Sequence, residues 1–177
     1  MHKRSLLAAA VLATVATPAV AEWGLPCIIT PGCSITFVSP EYAARAVEPL
    51  NPAAALAEVN AFRTKNGRAA VVLDARLTKA AAMQSETQAK RSRIGHDGFG
   101  GSRPMDRAAS AGYRAKIASE NAAAGQKSFG DAMRSWMGSS GHRENLLRPQ
   151  VTAIGVAVAK DAGGRPYWTL VLGAEVK

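Results

Sequence analysis

The sequence contains very little cysteine. Cys27 and Cys33 are the only two cysteines in 177 residues, which excludes a small fold held together by several disulfides. Five residues separate them, and in an oxidising compartment such a pair predicts a local disulfide. Because no histidine lies nearby in the sequence, the pair is a poor zinc site. We therefore expect a Cys27–Cys33 disulfide, whose short loop restrains the unfolded chain only a little.

Long hydrophobic runs are also missing. A membrane-spanning helix needs about 20 predominantly apolar residues, and the apolar run from Leu6 to Val15 is shorter than that. Basic residues precede this run at positions 2–4, and a small-residue cleavage site follows it at 19–21, as in a secretory signal peptide. We expect residues 1–21 to be removed from a secreted or periplasmic protein without an integral membrane segment. A lipid anchor is disfavoured because Cys27 lies beyond the cleavage site.

No run of basic residues with interleaved aromatics is present, although proteins that bind single-stranded nucleic acids use this pattern. Together with export, this absence predicts no nucleic-acid partner. Without Lys3 and Arg4, the chain has 20 basic and 13 acidic residues, a net charge of +7 with histidine neutral. This charge favours solubility, and it also favours attraction to anionic envelope surfaces such as lipid head groups or the phosphates of teichoic acid or lipopolysaccharide. The sequence leaves both interpretations open.

Two catalytic signatures are absent. Without a His-Glu-x-x-His motif, a dedicated metalloprotease is disfavoured. Ser139 and Ser140 precede His142, but no nucleophile-elbow glycine pattern surrounds either serine. We interpret the two serines as caps of the following helix. The sequence leaves enzymatic activity uncertain and favours a protein without it.

The sequence divides into an N-terminal extension and one domain. Residues 22–50 are rich in proline and show no helical or strand period, so we interpret them as an extension that carries the two cysteines. Residues 51–177 have the length of a single domain. Capping residues and apolar spacing predict helices at 52–66, after Asp74, and at 104–111, 129–137 and 142–147. The pattern of residues 113–125 is too weak to indicate strand or loop.

The last third of the sequence has the pattern of a β-hairpin. Ile154–Ala159 and Tyr167–Leu172 are rich in valine and aromatics, and residues 161–165 between them contain two glycines. Neither run alternates between polar and apolar residues, which indicates burial of both faces. A sheet buried on both faces needs helices on both sides. We therefore predict an α+β domain built as a three-layer α-β-α sandwich.

Three short polar motifs lie in the alanine-rich middle of the chain: His96-Asp97-Gly98, Ser119-Glu120-Asn121 and Gly141-His142-Arg143-Glu144-Asn145. Further motifs occur in order around them: Asn60-x-x-Arg63, Asn66-Gly67, Ala111-Gly112-Tyr113, Trp136-Met137, Ile154-Gly155-Val156 and Tyr167-Trp168. With this ordered set, about residues 53–173 closely resemble the CAP superfamily. This superfamily comprises the cysteine-rich secretory, antigen 5 and pathogenesis-related 1 proteins, and the resemblance is to its bacterial SCP-domain type.

The resemblance implies an α-β-α sandwich with a small antiparallel sheet and a cleft that holds two histidines and two acidic residues. By position, His96 matches the first histidine, Glu120 the first acid and His142 the second histidine. The sequence departs from the pattern at the second acid. Many eukaryotic members carry a glutamate three residues after the helix tryptophan, and here that residue is Ser139. The tetrad of the family is therefore incomplete in this chain.

Two imidazoles and one carboxylate can bind a divalent metal such as zinc and leave one coordination position open. His96, Glu120 and His142 are therefore the expected metal ligands, with zinc or another divalent metal as the expected cofactor. Glu144 and Asp97 are two nearby carboxylates that could replace the missing acid, and neither is favoured. The alternative is that the polar side chains form a hydrogen-bonded network that fixes the loops over the cleft.

Ser139, Asn121 and Asn145 complete the predicted cleft, and we expect the two asparagines to satisfy backbone groups rather than to form an oxyanion hole. Three functions follow in order of preference. The first is a secreted module that binds a small lipid, a peptide or an envelope ligand, with a metal as an optional component. The second is a cell-envelope interaction module whose polar cluster is structural. The third is a secreted peptidase-like hydrolase.

Overall fold

The computed structural model describes residues 41–42 and 45–176. They belong to the second of two compact units, Val38–Lys177. The predicted signal peptide at residues 1–21 and the predicted Cys27–Cys33 disulfide lie outside the described residues. Within the described ranges, no helix has both the length and the apolar character needed to cross a membrane.

The helices and the hairpin predicted from the sequence are confirmed. The elements along the chain are α1 (Pro52–Lys65), β1 (Val72–Leu73), α2 (Ala75–Arg91), α3 (Pro104–Ser110), β2 (Ala115–Ala124), α4 (Phe129–Gly138), α5 (Ser140–Leu146), β3 (Ala153–Lys160) and β4 (Pro166–Glu175). The side chains of Asn51 and Asp74 cap α1 and α2 by accepting backbone N–H groups of the first turn. Residues 113–125, which the sequence left unassigned, contain the long strand β2.

The four strands form one sheet in the order β1-β3-β4-β2. β4 lies antiparallel to β3 and to β2, whereas β1 runs parallel to β3, with Val72 opposite Ala153. The expected antiparallel sheet is therefore corrected to a mixed sheet. The short apolar stretch before α2 forms the parallel strand, and the helices between β1 and β3 provide the long crossover that a parallel pair requires. β2 lies at the edge of the sheet.

Helices cover both faces of this sheet, as predicted. Trp168, Leu170 and Leu172 alternate along β4 toward the larger core, which includes Val59 of α1 and Trp136 of α4. On the opposite face, Val171 and small residues of β3 pack against α2 and α3. That second core consists of Leu77, Ala81, Ala108, Tyr113, Ala153, Ala157 and Val171. The domain is thus a three-layer α-β-α sandwich.

Small residues on β3 allow α2 to lie directly on the sheet. A Cβ atom at Gly155 would lie only 2.0 Å from the carbonyl carbon of Leu77 and 2.0 Å from the backbone nitrogen of Thr78. Ala153 and Ala157 flank this glycine on the same face. The close contact fixes the position of α2, whose C-terminal end leads directly into the loop that carries His96.

Candidate functional site

The fold brings His96 and Glu120 into direct contact. Nδ1 of His96 lies 2.9 Å from Oε1 of Glu120, although the two residues are 24 positions apart in the sequence. The side chain of Glu120 is 1% exposed, whereas that of His96 is 54% exposed. The buried carboxylate of β2 therefore fixes an imidazole whose ring remains accessible to solvent.

Glu120 has a second partner, Arg107 of α3, which the sequence analysis missed. Nη2 of Arg107 donates to Oε2 of Glu120 at 2.6 Å, and both side chains are buried. Nη1 of Arg107 also donates to the backbone oxygen of His96 at 3.2 Å. Both oxygens of Glu120 are therefore engaged. The only signal in the sequence was an arginine among alanines on a short helix, and nothing there named its partner.

Side chains from α2 and α3 hold the backbone of the His96 loop. The donors to four successive carbonyl oxygens are Gln84 Nε2 for residue 95 at 2.6 Å, Arg107 Nη1 for residue 96 at 3.2 Å, and Arg91 Nη1 and Nη2 for residues 97 and 98 at 3.0 and 3.2 Å. Gly98 allows this close approach, because a Cβ atom there would lie 2.8 Å from Nη1 of Arg107 and 2.5 Å from Oγ of Ser102. The position of His96 is therefore set before any ligand arrives.

A chain of amides connects β2 to His142 on α5. Nδ2 of Asn121 donates to the backbone oxygen of His142 at 3.0 Å, and Nδ2 of Asn145 donates to Oδ1 of Asn121 at 3.0 Å. Asn145 Nδ2 also lies 3.3 Å from the backbone oxygen of Glu120. The predicted role of both asparagines in satisfying backbone groups is confirmed. Because adjacent strand residues point to opposite faces, β2 presents Glu120 to α3 and Asn121 to α5.

The two imidazoles titrate in opposite directions from the ordinary histidine value. The hydrogen bond to Glu120 raises the pKa of His96, although burial acts in the opposite direction. Burial lowers the pKa of His142, and the positive charge of His96 lowers it further. Between the two pKa values, His96 carries a positive charge while His142 is neutral.

His142 and Ser139 line a cavity of about 370 Å³. The other lining residues are Ile94, Ala122, Ala123, Ala124, Gln126, Ser135, Trp136 and Arg165. His96 lines a smaller neighbouring cavity of about 40 Å³, and Ile94 lines both. Of the two serines predicted as caps, Ser139 occupies the N-cap position of α5 and Ser140 is the first residue of the helix. Ser139 precedes the first residue of α5, but its side chain makes no capping hydrogen bond.

The predicted roles of Trp136 and Trp168 in the core are confirmed. Their exposed fractions are 1% and 0%, and each indole nitrogen donates to a backbone carbonyl. The acceptors are the oxygens of Ala122 at 3.0 Å and Gln126 at 2.9 Å. Trp136 also lines the cavity at His142, so the larger core extends to the floor of the candidate site.

The set of His96, Glu120 and His142 does not fit as three direct ligands of one metal ion. Both oxygens of Glu120 already bind other side chains, and a cation there would face the buried guanidinium of Arg107. Among the described residues, no three His, Cys, Asp or Glu side chains are grouped to hold an ion. Glu120 instead fits as a residue that orients a metal ligand, because it binds Nδ1 of His96 and leaves Nε2 of the same ring free.

Neither of the two carboxylates considered as substitutes for the missing acid lies in the cavity at His142. Asp97 is exposed, and its Oδ1 lies 3.6 Å from Nε of Arg103. Glu144 lines a separate groove at the other end of β2. The position of the second family acid is therefore a serine without a nearby replacement among the described lining residues.

Comparison with known proteins agrees with these features. Residues 56–172 match the profile of the CAP family, described as the cysteine-rich secretory protein family. The uncharacterized protein YkwD of Bacillus subtilis (strain 168) is 34% identical to this chain over 110 residues. This match covers 62% of the chain and 42% of YkwD, so the chain spans less than half the length of this relative.

Solved structures share the fold. An outer surface protein from Borrelia burgdorferi has a TM-score of 0.65 at 21% identity, covering 71% of this chain and 92% of its own. An extracellular SCP-domain protein from Bacillus anthracis has a TM-score of 0.64 at 23% identity, covering 72% of this chain and 45% of its own. At these identities the structures establish the fold alone. Since the family profile spans more than half of the sequence, the chain belongs to the cysteine-rich secretory protein (CAP) family.

Proposed function

We propose that this protein is exported and binds a small lipid, peptide or envelope ligand in the cleft beside His96 and His142. The observation that carries this proposal is the cavity of about 370 Å³ with His142 in its wall. Ligand sites commonly combine an apolar surface with a few fixed polar groups. The N-terminal sequence pattern supports export, and two structural relatives are described as extracellular and as an outer surface protein.

An amphipathic ligand fits this cavity best. Ile94, which is 49% exposed, and Ala124 provide accessible apolar surface, while His142 and Arg165 provide polar and positively charged groups. A hydrocarbon chain would lie against Ile94 and the alanine, and a carboxylate or another polar head would meet the imidazole and the guanidinium. A small lipid therefore ranks above a peptide as the ligand class.

Titration of a fluorescent fatty acid, cis-parinaric acid, tests this site. We expect saturable binding by the wild type and at least about tenfold weaker binding by Ser139→Phe, because the new ring fills the cavity. Ser140→Phe is the matched control, since Ser140 is exposed and does not line the cavity. Absence of saturable binding, or equal loss in both variants, would contradict the proposal.

For a divalent metal such as zinc, we propose a form that involves only the two imidazoles. His96 and His142 would hold the ion, Glu120 would orient His96, and the metal would supply an additional contact for the ligand. Calorimetric titration of zinc into the wild type and a His96→Ala, His142→Ala double variant tests this. Equal heats in the two proteins would contradict zinc binding by His96 and His142.

The hydrogen-bonded network around Glu120 and Asn121 favours a second candidate, an envelope interaction module in which the polar cluster is structural. In that case the double histidine variant would lose thermal stability and would bind cis-parinaric acid as the wild type does. A hydrolase ranks last, because no hydrogen bond joins Ser139 to His142 in the described part of the chain. Peptide hydrolysis by the wild type that disappears in the double histidine variant would instead favour the hydrolase.

A further inference from the structure

A second concavity, here called the basic groove, lies at the opposite end of β2 from the cavity at His142. Its volume is about 640 Å³, and its lining includes Arg68, Lys116, Glu144 and Arg148 together with residues 149–150. None of its lining residues lines the cavity at His142. A ligand in the basic groove would therefore contact none of the residues that line the cavity at His142.

The charged residues of the basic groove come from separate segments and are not neutralised. Arg68 follows α1, Lys116 lies on β2 and Arg148 follows α5. In the described ranges, none of the three has a carboxylate oxygen within 4.0 Å. Glu144 is the one acidic residue in the lining, and it forms no ion pair with them. The groove therefore carries an excess of positive charge.

A buried arginine, Arg63, fixes the wall of this groove. Its side chain is fully buried, and it donates to four backbone oxygens. Nε binds Ala69 at 2.9 Å, Nη1 binds Leu146 at 2.6 Å and Arg148 at 3.3 Å, and Nη2 binds Val151 at 3.3 Å. Because these oxygens belong to the segment of Arg68 and to the segment of Arg148, Arg63 ties the two segments together.

The guanidinium of Arg63 also adds positive charge next to the groove segments, since it binds the backbone oxygens of Ala69 and Arg148. Within the described residues, no carboxylate oxygen lies within 4.0 Å of it. Burial lowers the pKa of Arg63, and the charge of Arg68 lowers it further. The two arginines therefore repel one another across the wall. An anion in the groove would offset this repulsion, since a negative charge near two positive charges is attracted to both.

We propose that the basic groove binds a chain of phosphate groups. Three separated cations match several negative charges better than one, and the volume exceeds that of a single phosphate ion. Arginine donates paired hydrogen bonds to phosphate oxygens, and lysine adds a point charge. Several adjacent phosphates occur in soluble phosphate polymers, and they also occur on the surface of an anionic membrane, where each lipid head group carries one. The test therefore separates these two sources.

Calorimetric titration of sodium tripolyphosphate into the full chain tests the proposal. We expect saturable binding by the wild type, and at least about tenfold weaker binding by an Arg68→Gln, Lys116→Gln, Arg148→Gln variant. The matched control neutralises Lys79, Arg93 and Lys160, which do not line the groove and form no ion pair among the described residues. Equal loss in both triple variants would indicate general charge attraction and overturn the proposal.

Glu144→Gln gives a second test, because general damage to the fold would not increase the affinity for tripolyphosphate. Removal of this carboxylate should tighten tripolyphosphate binding about threefold or more, because it repels the ligand. Unchanged or weaker binding by Glu144→Gln would contradict the proposed location.

Sedimentation with phosphatidylglycerol vesicles separates the sources. Binding to vesicles without binding to tripolyphosphate would assign the site to lipid head groups, and binding to neither would overturn the proposal. The His96→Ala, His142→Ala variant should bind tripolyphosphate as the wild type does, so the basic groove and the proposed cleft can fail separately.

Discussion

Nη2 of Arg107 lies 2.6 Å from Oε2 of Glu120, and each side chain is only 1% exposed. The carboxylate at the centre of the candidate site is thus part of a buried ion pair, and it holds His96 with its other oxygen. Glu120 is a positioning group rather than a free acid. A ligand can therefore contact the exposed imidazole of His96 but not the buried carboxylate of Glu120.

Removal of the buried partner should therefore be costly. Arg107→Met leaves Glu120 buried without its cation, and we expect a loss of about 3 to 5 kcal/mol in the free energy of unfolding. Urea denaturation measures this value. Arg103→Gln is the control, because its ion pair with Asp97 is exposed and should contribute less than about 1 kcal/mol. Equal losses in the two variants would contradict the role of Arg107.

The two histidines of the cleft should titrate on opposite sides of about pH 6.5, the ordinary value. The pKa of His96 is raised by Glu120 and that of His142 is lowered by burial. NMR titration of the imidazole protons, assigned with His96→Gln and His142→Gln, measures both values. Glu120→Gln should lower the pKa of His96. A pKa of His96 below that of His142 in the wild type would contradict the geometry.

The same shifts give a pH dependence of stability. The contribution of protonated His96 is present below its unfolded pKa and is lost as the pH rises through its raised folded pKa. His142 has the opposite sign, since its lowered pKa reduces stability as the pH falls through the unfolded value. We expect His96→Gln to abolish the first effect and His142→Gln the second. Melting temperatures measured across this pH range test both expectations.

Asn121 should be important for stability through its amide. Its side chain is fully buried, and it connects the backbone oxygen of His142 to Asn145. Asn121→Leu should cost about 1 to 3 kcal/mol, because it removes the hydrogen bonds of a buried amide to His142 and Asn145. Gln150→Leu, at an exposed position, is the control for the added apolar surface. Chemical denaturation that gives the same loss for both variants would contradict this role.

The close contact between β3 and α2 predicts that Gly155 tolerates no side chain. A Cβ atom would lie 2.0 Å from backbone atoms of Leu77 and Thr78, and backbone cannot move aside as a side chain can. We expect Gly155→Ala to cost about 3 kcal/mol or more, at the upper end of overpacking. Gly138→Ala has nothing within 4 Å and should be near neutral. Thermal unfolding distinguishes the two variants.

The sequence predicted the helices and the hairpin because their signals are local. Asn51 and Asp74 act as caps in the structure as they do in the pattern. β1 was missed as a strand because two residues have no period, and its parallel pairing depends on β3, about 80 residues later. The sequence of β2 indicates neither strand nor loop, because its first five residues are exposed or partly exposed and its next four are buried, without alternation.

The sequence predicted the location of the candidate site but not the hydrogen bonds within it. The three motifs indicated His96, Glu120 and His142, and the structure places the first two in contact. Arg107 could not be identified as the partner of Glu120, because an arginine on a short helix has the pattern of a surface residue. Ser139 was assigned a capping bond because serine before a helix usually makes one, and here its side chain makes none.

Gly98 influences the candidate site because it has no Cβ atom. Its hydrogen in place of a Cβ leaves room for the guanidinium of Arg107 and the hydroxyl of Ser102, and these groups lie beneath the backbone that presents His96. A comparison of CAP domains restricted to histidines and acids would overlook this position. A larger residue at position 98 would displace Arg107, Ser102 or the loop backbone, and the imidazole of His96 would then stand at a different depth.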